Sequence, residues 1–115
     1  AAYDKGVKAL MDRKDTATAL SQAEEAIKIL PREALFYGLR ARAYEQLGQN
    51  ENALQAWNQA VERNPDWFYF PLERGLLHEK LGREDDAKRD LRRSYQLLPT
   101  DKAQAALQRL GATAE

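Results

Sequence analysis

Cysteine is absent from this chain of 115 residues, and histidine occurs once. The first absence rules out disulfide staples and thiolate metal sites, while leaving the compartment open. With His78 alone, a zinc site of the usual nitrogen and sulfur ligands cannot be completed. Neither sign of charge prevails: 18 Lys and Arg balance 18 Asp and Glu. A general binder of polyanions carries a basic excess, so nucleic acid and acidic membrane surfaces are not expected partners. No apolar run approaches the roughly 18 residues of a membrane span. No signal peptide is visible. The opening Ala1-Ala2-Tyr3-Asp4-Lys5-Gly6 already reads as the start of a helix, as expected of a fragment whose targeting signal lies elsewhere. Val and Ile are scarce, and nothing alternates apolar with polar as a half-buried strand would. There is no phosphate-cradling glycine loop and no Gly-x-Ser-x-Gly. The acidic pairs Glu24-Glu25 and Asp85-Asp86 point different ways on a helix and belong to solvated faces. No catalytic residue, cofactor or metal is expected.

What the chain does have is a period. Ala, Leu, Glu, Gln, Arg and Lys dominate, and apolar residues recur at three and four, which together specify helices. Three of the four prolines, Pro31, Pro65 and Pro99, stand 34 residues apart. The same step carries Ala19 to Ala53 to Ala87, Ala26 to Ala60 to Ser94, and Val7 to Ala41 to Gly75. Large residues keep the phase: Leu10, Tyr44, His78; Ala23, Trp57, Leu91; Ile27, Val61, Tyr95. Small residues belong where antiparallel helices cross closely. Gly48 and Gly82 belong where a first helix stops in a left-handed residue, and Lys14 takes that slot in the first repeat. Asp15 and Asn50 are candidate caps for the second helices of their repeats.

The spacing predicts helices near 2–13 and 15–29, 33–47 and 50–63, 68–81 and 84–97. After Pro99, Thr100 caps a last helix to about Leu110, with Gly111 as its stop. Its stripe of Ala103, Ala106, Leu107 and Leu110 faces inward, and Lys102, Gln104, Gln108 and Arg109 face out. A terminal helix with one wet face closes the open end of a stacked array. His78 falls in a large inter-helix column and reads as a packing residue.

These columns resemble the tetratricopeptide repeat (TPR), best in 34–67, where Tyr37, Ala41, Tyr44, Gly48, Ala53, Trp57, Ala60 and Pro65 all match. The third repeat departs at Pro71 and His78, and the first at Gly6-Val7 and Lys14. The resemblance implies an all-α, right-handed superhelical solenoid of three helix-turn-helix repeats, about 1–33, 34–67 and 68–101, with a capping helix at about 100–111. It further implies a scaffold that binds a protein or peptide in a concave groove lined by the first helices. The residues placed there are Lys8, Met11, Leu35, Gly38, Leu39, Arg42, Glu45, Tyr69, Leu72, Leu76 and Glu79. Family members that hold acidic chaperone tails use a clamp of Lys, Asn, Asn, Lys and Arg. The corresponding positions here are Asp4, Lys8, Leu39, Tyr69 and Glu73. The run Trp67-Phe68-Tyr69-Phe70 is the least ordinary stretch. Most of its ring area is expected in packing between repeats, with one or two rings turned out as a docking patch. More narrowly, Pro31 to Phe36, Trp67 to Phe70, Arg74 to Leu76 and Asp90 to Thr100 resemble the tail of bacterial cell-envelope zinc metalloproteases. That implies a periplasmic setting, a fragment without the peptidase residues, and, as an alternative role, regulation in cis of an absent catalytic domain.

Overall fold

A computed structural model describes residues 13–114. Every regular element among them is a helix: α1 (Arg13–Ile29), α2 (Ala34–Gln46), α3 (Asn50–Arg63), α4 (Tyr69–Lys80), α5 (Glu84–Leu97) and α6 (Asp101–Arg109). The helix expected near 2–13 lies outside the described residues, with Asp4, Lys8 and Met11. The helices divide after Arg63 into two compact units. In the first, α1 packs on α2 and α2 on α3; in the second, α4 packs on α5 and α5 on α6.

The turns follow from glycine. Gly48, Gly82 and Gly111 have φ of 76°, 77° and 69°, the left-handed region that costs a residue with a Cβ. Each is followed by a backbone bond reaching back five residues: Gln49 N to Tyr44 O, Arg83 N to His78 O and Ala112 N to Leu107 O, all 2.8 Å. These bonds satisfy carbonyls that the helix end leaves unpaired. At Lys14 the backbone is helical, and no described residue other than glycine has positive φ. The first repeat therefore lacks this turn at its expected place.

The starts differ from expectation at two points. Asp15 is the third residue of α1 and not its cap. Asn50 is likewise already inside α3, its side-chain oxygen buried without a partner. Gln49 takes the capping place, its carbonyl accepting from Ala53 N at 3.0 Å. Pro71 is the third residue of α4, in the first turn, where a missing N–H removes no helical bond. Thr100 does cap α6, its hydroxyl accepting from Ala103 N at 3.2 Å.

Packing explains the small columns. Ala41, Ala53, Trp57 and Ala60 in the first unit, and Ala87, Leu91 and Ser94 in the second, are 0% exposed. Ser94 keeps its hydroxyl satisfied by donating to Phe68 O at 2.9 Å. The second core joins Leu72, Ala87 and Leu91 to Ala103, Ala106 and Leu107 of α6. A close approach is made at Gly75. A Cβ there would stand 2.9 Å from Leu91 Cγ and 3.1 Å from Asp90 Cβ.

Two substitutions test this packing. Gly75→Ala gains about 1 kcal/mol in helix propensity, yet the clash with Leu91 is expected to outweigh it and lower the thermal midpoint. Ala60→Leu is expected to cost roughly 1–3 kcal/mol by overpacking. Urea unfolding measures both, and an unchanged midpoint in both would mean the helices do not cross at these residues.

Candidate functional site

In the first unit the accessible apolar surface lies on α2. Leu35 and Leu39 are 42% and 47% exposed, and Arg42 is exposed one turn further on. Spaced by four and three, they form one stripe. The opposite side of α2 is fixed against α3. Tyr37 donates its hydroxyl to Pro31 O at 2.8 Å, Arg63 Nε donates to the same oxygen at 2.9 Å, and the Arg63 guanidinium lies 4.1 Å from the Tyr37 ring centre. Two expected groove residues are engaged elsewhere. Gly38 is buried, and Glu45 accepts a 2.7 Å bond from the Trp57 indole of α3. Beside the stripe runs a cleft of about 450 Å³. Ala19, Gln22, Ala23 and Ala26 of α1 form one wall, and Phe36, Leu39, Arg42, Ala43 and Gln46 of α2 the other.

In the second unit the aromatic run splits. Phe70 is 0% exposed, and Phe68 packs against the core. Trp67, 37% exposed, stands 5.3 Å from the half-buried Tyr69 and 4.7 Å from Phe70, ring centre to ring centre. Phe68 and Phe70 turn inward and Trp67 outward where the chain enters α4 at Tyr69. Of the α4 residues expected in the groove, Leu72 belongs to the core at 4% exposure, and Leu76 packs partly against it. Glu79 accepts two bonds from Arg109 of α6, at 2.8 and 3.0 Å. That pairing holds its carboxyl below the usual range. An apolar contact outranks solvent for Leu72, and a cation of the last helix takes Glu79.

Sequence reasoning missed the most polar part of this core. Asp90 is only 6% exposed and receives both Arg74 Nε and Nη2, at 2.8 and 2.7 Å. A signal existed: one repeat step back from Asp90 stands Ala56, itself 1% exposed. His78 sits beside the pair, Nε2 3.8 Å from Asp90, with Nδ1 buried and unpartnered. Desolvation lowers its pKa, outweighing the attraction of Asp90 and Asp86, while Arg74 and Arg83 push the same way as burial. Also unforeseen is a hollow of about 560 Å³ along α5 lined by Lys88, Arg89, Arg92 and Arg93 with Asp85 and Gln96. Much of that charge is locally engaged: Arg89 with Asp86, Arg93 with Asp66, and Arg92 with Thr113 O. Among the described residues no group of three or more His, Asp or Glu could hold a metal, and no helix is long and apolar enough to cross a membrane.

Comparison with known proteins bears on this geometry. The family model described as "Tetratricopeptide repeat" matches residues 34–67. Tetratricopeptide repeat protein 36 of Xenopus tropicalis is 38% identical over 96 residues, 80% of this chain and 47% of that protein. Its human counterpart is 38% identical over 87 residues, 72% of this chain and 46% of that protein. The chain thus spans about half the length of these relatives. Among solved structures, the TPR domain of Arabidopsis OM64 has a TM-score of 0.81 and 30% identity, over 90% of this chain and 87% of that one. The first TPR of Spaghetti (RPAP3), solved with the HSP90 peptide SRMEEVD, has a TM-score of 0.82 at 24% identity, over 94% of this chain and 86% of that one, a likeness of fold. These relatives lend no support to the narrower resemblance to metalloprotease tails, nor to the bacterial, periplasmic setting it implied.

The His78 environment sets a pH dependence. Its folded-state pKa lies below the ordinary 6.5, so on acidification the unfolded chain takes up a proton first. The stabilisation from neutral His78 is complete above the unfolded pKa and is lost as pH falls through the folded one. The thermal midpoint is expected to drop as pH falls below about 6.5, and His78→Leu to flatten that drop. Equal slopes for both chains would assign the effect to other groups.

Proposed function

The chain belongs to the tetratricopeptide-repeat family, and we propose that it serves as a scaffold taking a helix or extended segment of another protein on the exposed face of α2. The observation that carries this reading is the exposed stripe of Leu35, Leu39 and Arg42. Two aliphatic side chains held rigidly on one helix face, bordered by a cation, suit a segment with one or two apolar anchors and an acidic flank. Anchors of this kind supply most of the binding energy, and the flanking charge sets orientation. The absence of a catalytic constellation in the sequence fits the same role.

The ligand differs in chemistry from an acidic chaperone tail. At the positions where clamp-type relatives supply Asn, Lys and Arg, this chain has Leu39, Tyr69 and Glu73. A terminal carboxylate would meet a carboxylate where a clamp offers charge-assisted hydrogen bonds.

Peptide display on the purified chain tests the reading. Selected peptides are expected to share a bulky apolar residue followed within one turn by Asp or Glu. Leu39→Asp is expected to weaken the best of them by roughly tenfold or more, about 1.4 kcal/mol, with helix content unchanged by circular dichroism. Unchanged affinity would move the contact away from α2, to Trp67 and Tyr69. A peptide ending in Glu-Glu-Val-Asp is expected to give no heat of binding in calorimetry, and micromolar binding would overturn the clamp argument.

A further inference from the structure

The hollow along α5 carries a charge that the matching face of the second repeat lacks. Its six lining residues include four cations, Lys88, Arg89, Arg92 and Arg93, and one carboxylate, Asp85. One repeat step back, on α3, stand Glu51, Leu54, Gln55, Asn58, Gln59 and Glu62, with two carboxylates and no cation. Leu54 is buried at 5% exposure, whereas Lys88 is half-buried and lines the hollow. The buried sides of the two helices are alike: Ala53, Trp57 and Ala60 of α3, and Ala87, Leu91 and Ser94 of α5, are 0% exposed. Packing of this kind works with amides on the outer positions and does not call for arginine there.

The basic face is also unfavourable for the helix itself. Lys88 with Arg92, and Arg89 with Arg93, are like charges four residues apart, an arrangement that destabilises a helix. Nearby carboxylates relieve it only in part. Arg89 with Asp86 and Arg93 with Asp66 are 3.2 Å pairs whose side chains are 48% to 80% exposed. Such pairs contribute little, so a ligand carboxylate can displace them at small cost. Arg92 gives its Nε to Thr113 O, a neutral carbonyl, and Lys88 makes no ion pair among the described residues. The acids Glu84, Asp85 and Asp86 have a reason of their own in the first turn, where they complement the helix dipole. The cations in the middle of α5 have no such reason.

We propose that this face of α5 binds an acidic segment of another protein, its Asp or Glu side chains seated on the two rows Lys88–Arg92 and Arg89–Arg93. Within each row the cations stand one helical turn apart, about 5–6 Å between Cβ atoms. Carboxylates one turn apart on a partner helix match that step, and a guanidinium fork takes a carboxylate through two parallel bonds. Asp85 at one end of the hollow, with Asp86 and Asp66 paired to its arginines, bounds the site. Discrete acidic side chains fit between these fixed negative groups, whereas a continuous phosphate backbone would have to pass over them. The balance of 18 cations against 18 anions in the whole chain favours the same choice. The site is separate from the α2 stripe: it lies in the second unit, and it selects by charge where Leu35 and Leu39 select by an apolar anchor.

The probe is a helical peptide with Glu at successive turns of one face in a background of Ala and Gln, and the control has Gln in place of each Glu. In nuclear magnetic resonance titrations of the whole chain, the acidic peptide is expected to shift backbone amides along α5, and the control to shift none. Affinity is expected to fall as salt rises from about 0.1 M to about 1 M, which shortens the screening length from about 10 Å to about 3 Å. Arg89→Gln/Arg92→Asn/Arg93→Gln gives α5 the amides of α3. It is expected to weaken the acidic peptide roughly tenfold and to leave the thermal midpoint unchanged or raised, since like-charge pairs are removed. Unchanged affinity in that variant, or shifts that fall on α2, would overturn the proposal. If the variant melts early, the unaltered chain decides: equal binding of the acidic and control peptides overturns the proposal. Tighter binding of a single-stranded oligonucleotide than of the acidic peptide would overturn the assignment to a protein partner.

Discussion

Close approach of paired helices is the constraint on which the rest of this structure depends. Two helices can bring their axes together only where at least one side chain in each facing pair is small. Ala53, Ala60, Ala87 and Ser94 meet that condition with zero exposure, and Gly75 meets it so tightly that a single carbon would collide with Leu91. The short turns follow from the same demand. An antiparallel partner so near leaves room for only a few connecting residues, and glycine at φ near 76° reverses the chain at once. Large residues then fill what the small ones leave, as Trp57 does opposite Ala41.

Against this apolar packing stands a buried ion pair. Removing Asp90 and Arg74 from water is costly, and the two charge-assisted bonds between them return much of that cost. An ion pair of this kind adds little to stability when intact, but losing one partner leaves an uncompensated charge inside the core. It also fixes rotation: a bidentate fork aligns α4 with α5 in one register, whereas Ala and Leu would tolerate several. His78, held neutral beside the pair by burial, fills the volume that Tyr44 fills one repeat earlier.

The helices were largely legible because helix formation and termination are local. The 34-residue step, the glycines and Thr100 placed the described helices from α2 onward within a residue of their observed ends. Caps were less legible, since Asn50 and Asp15 have capping chemistry but sit inside helices whose starts depend on neighbouring turns. The candidate site was legible in part. Leu35, Leu39 and Arg42 stand exposed on α2, while Gly38, Glu45, Leu72 and Glu79 are taken up by packing or by partners. Which exposed-looking residue finds a partner depends on side chains 12 to 30 residues away, such as Trp57 for Glu45 and Arg109 for Glu79. Periodicity carries no information about those pairings.

The two tryptophans are placed one in each unit and in opposite surroundings. Trp57 is fully enclosed with its indole nitrogen bonded to Glu45, and Trp67 has more than a third of its surface in contact with solvent. An enclosed indole emits at shorter wavelength than a wetted one, so the native fluorescence spectrum is a sum of two separable bands. Each band reports the melting of its own half of the chain. Heating a single sample while following both edges of the emission therefore reads whether the two units come apart together or in sequence, because coincident transitions from independent probes are the mark of one cooperative event. The protein carries its own pair of optical labels for that question.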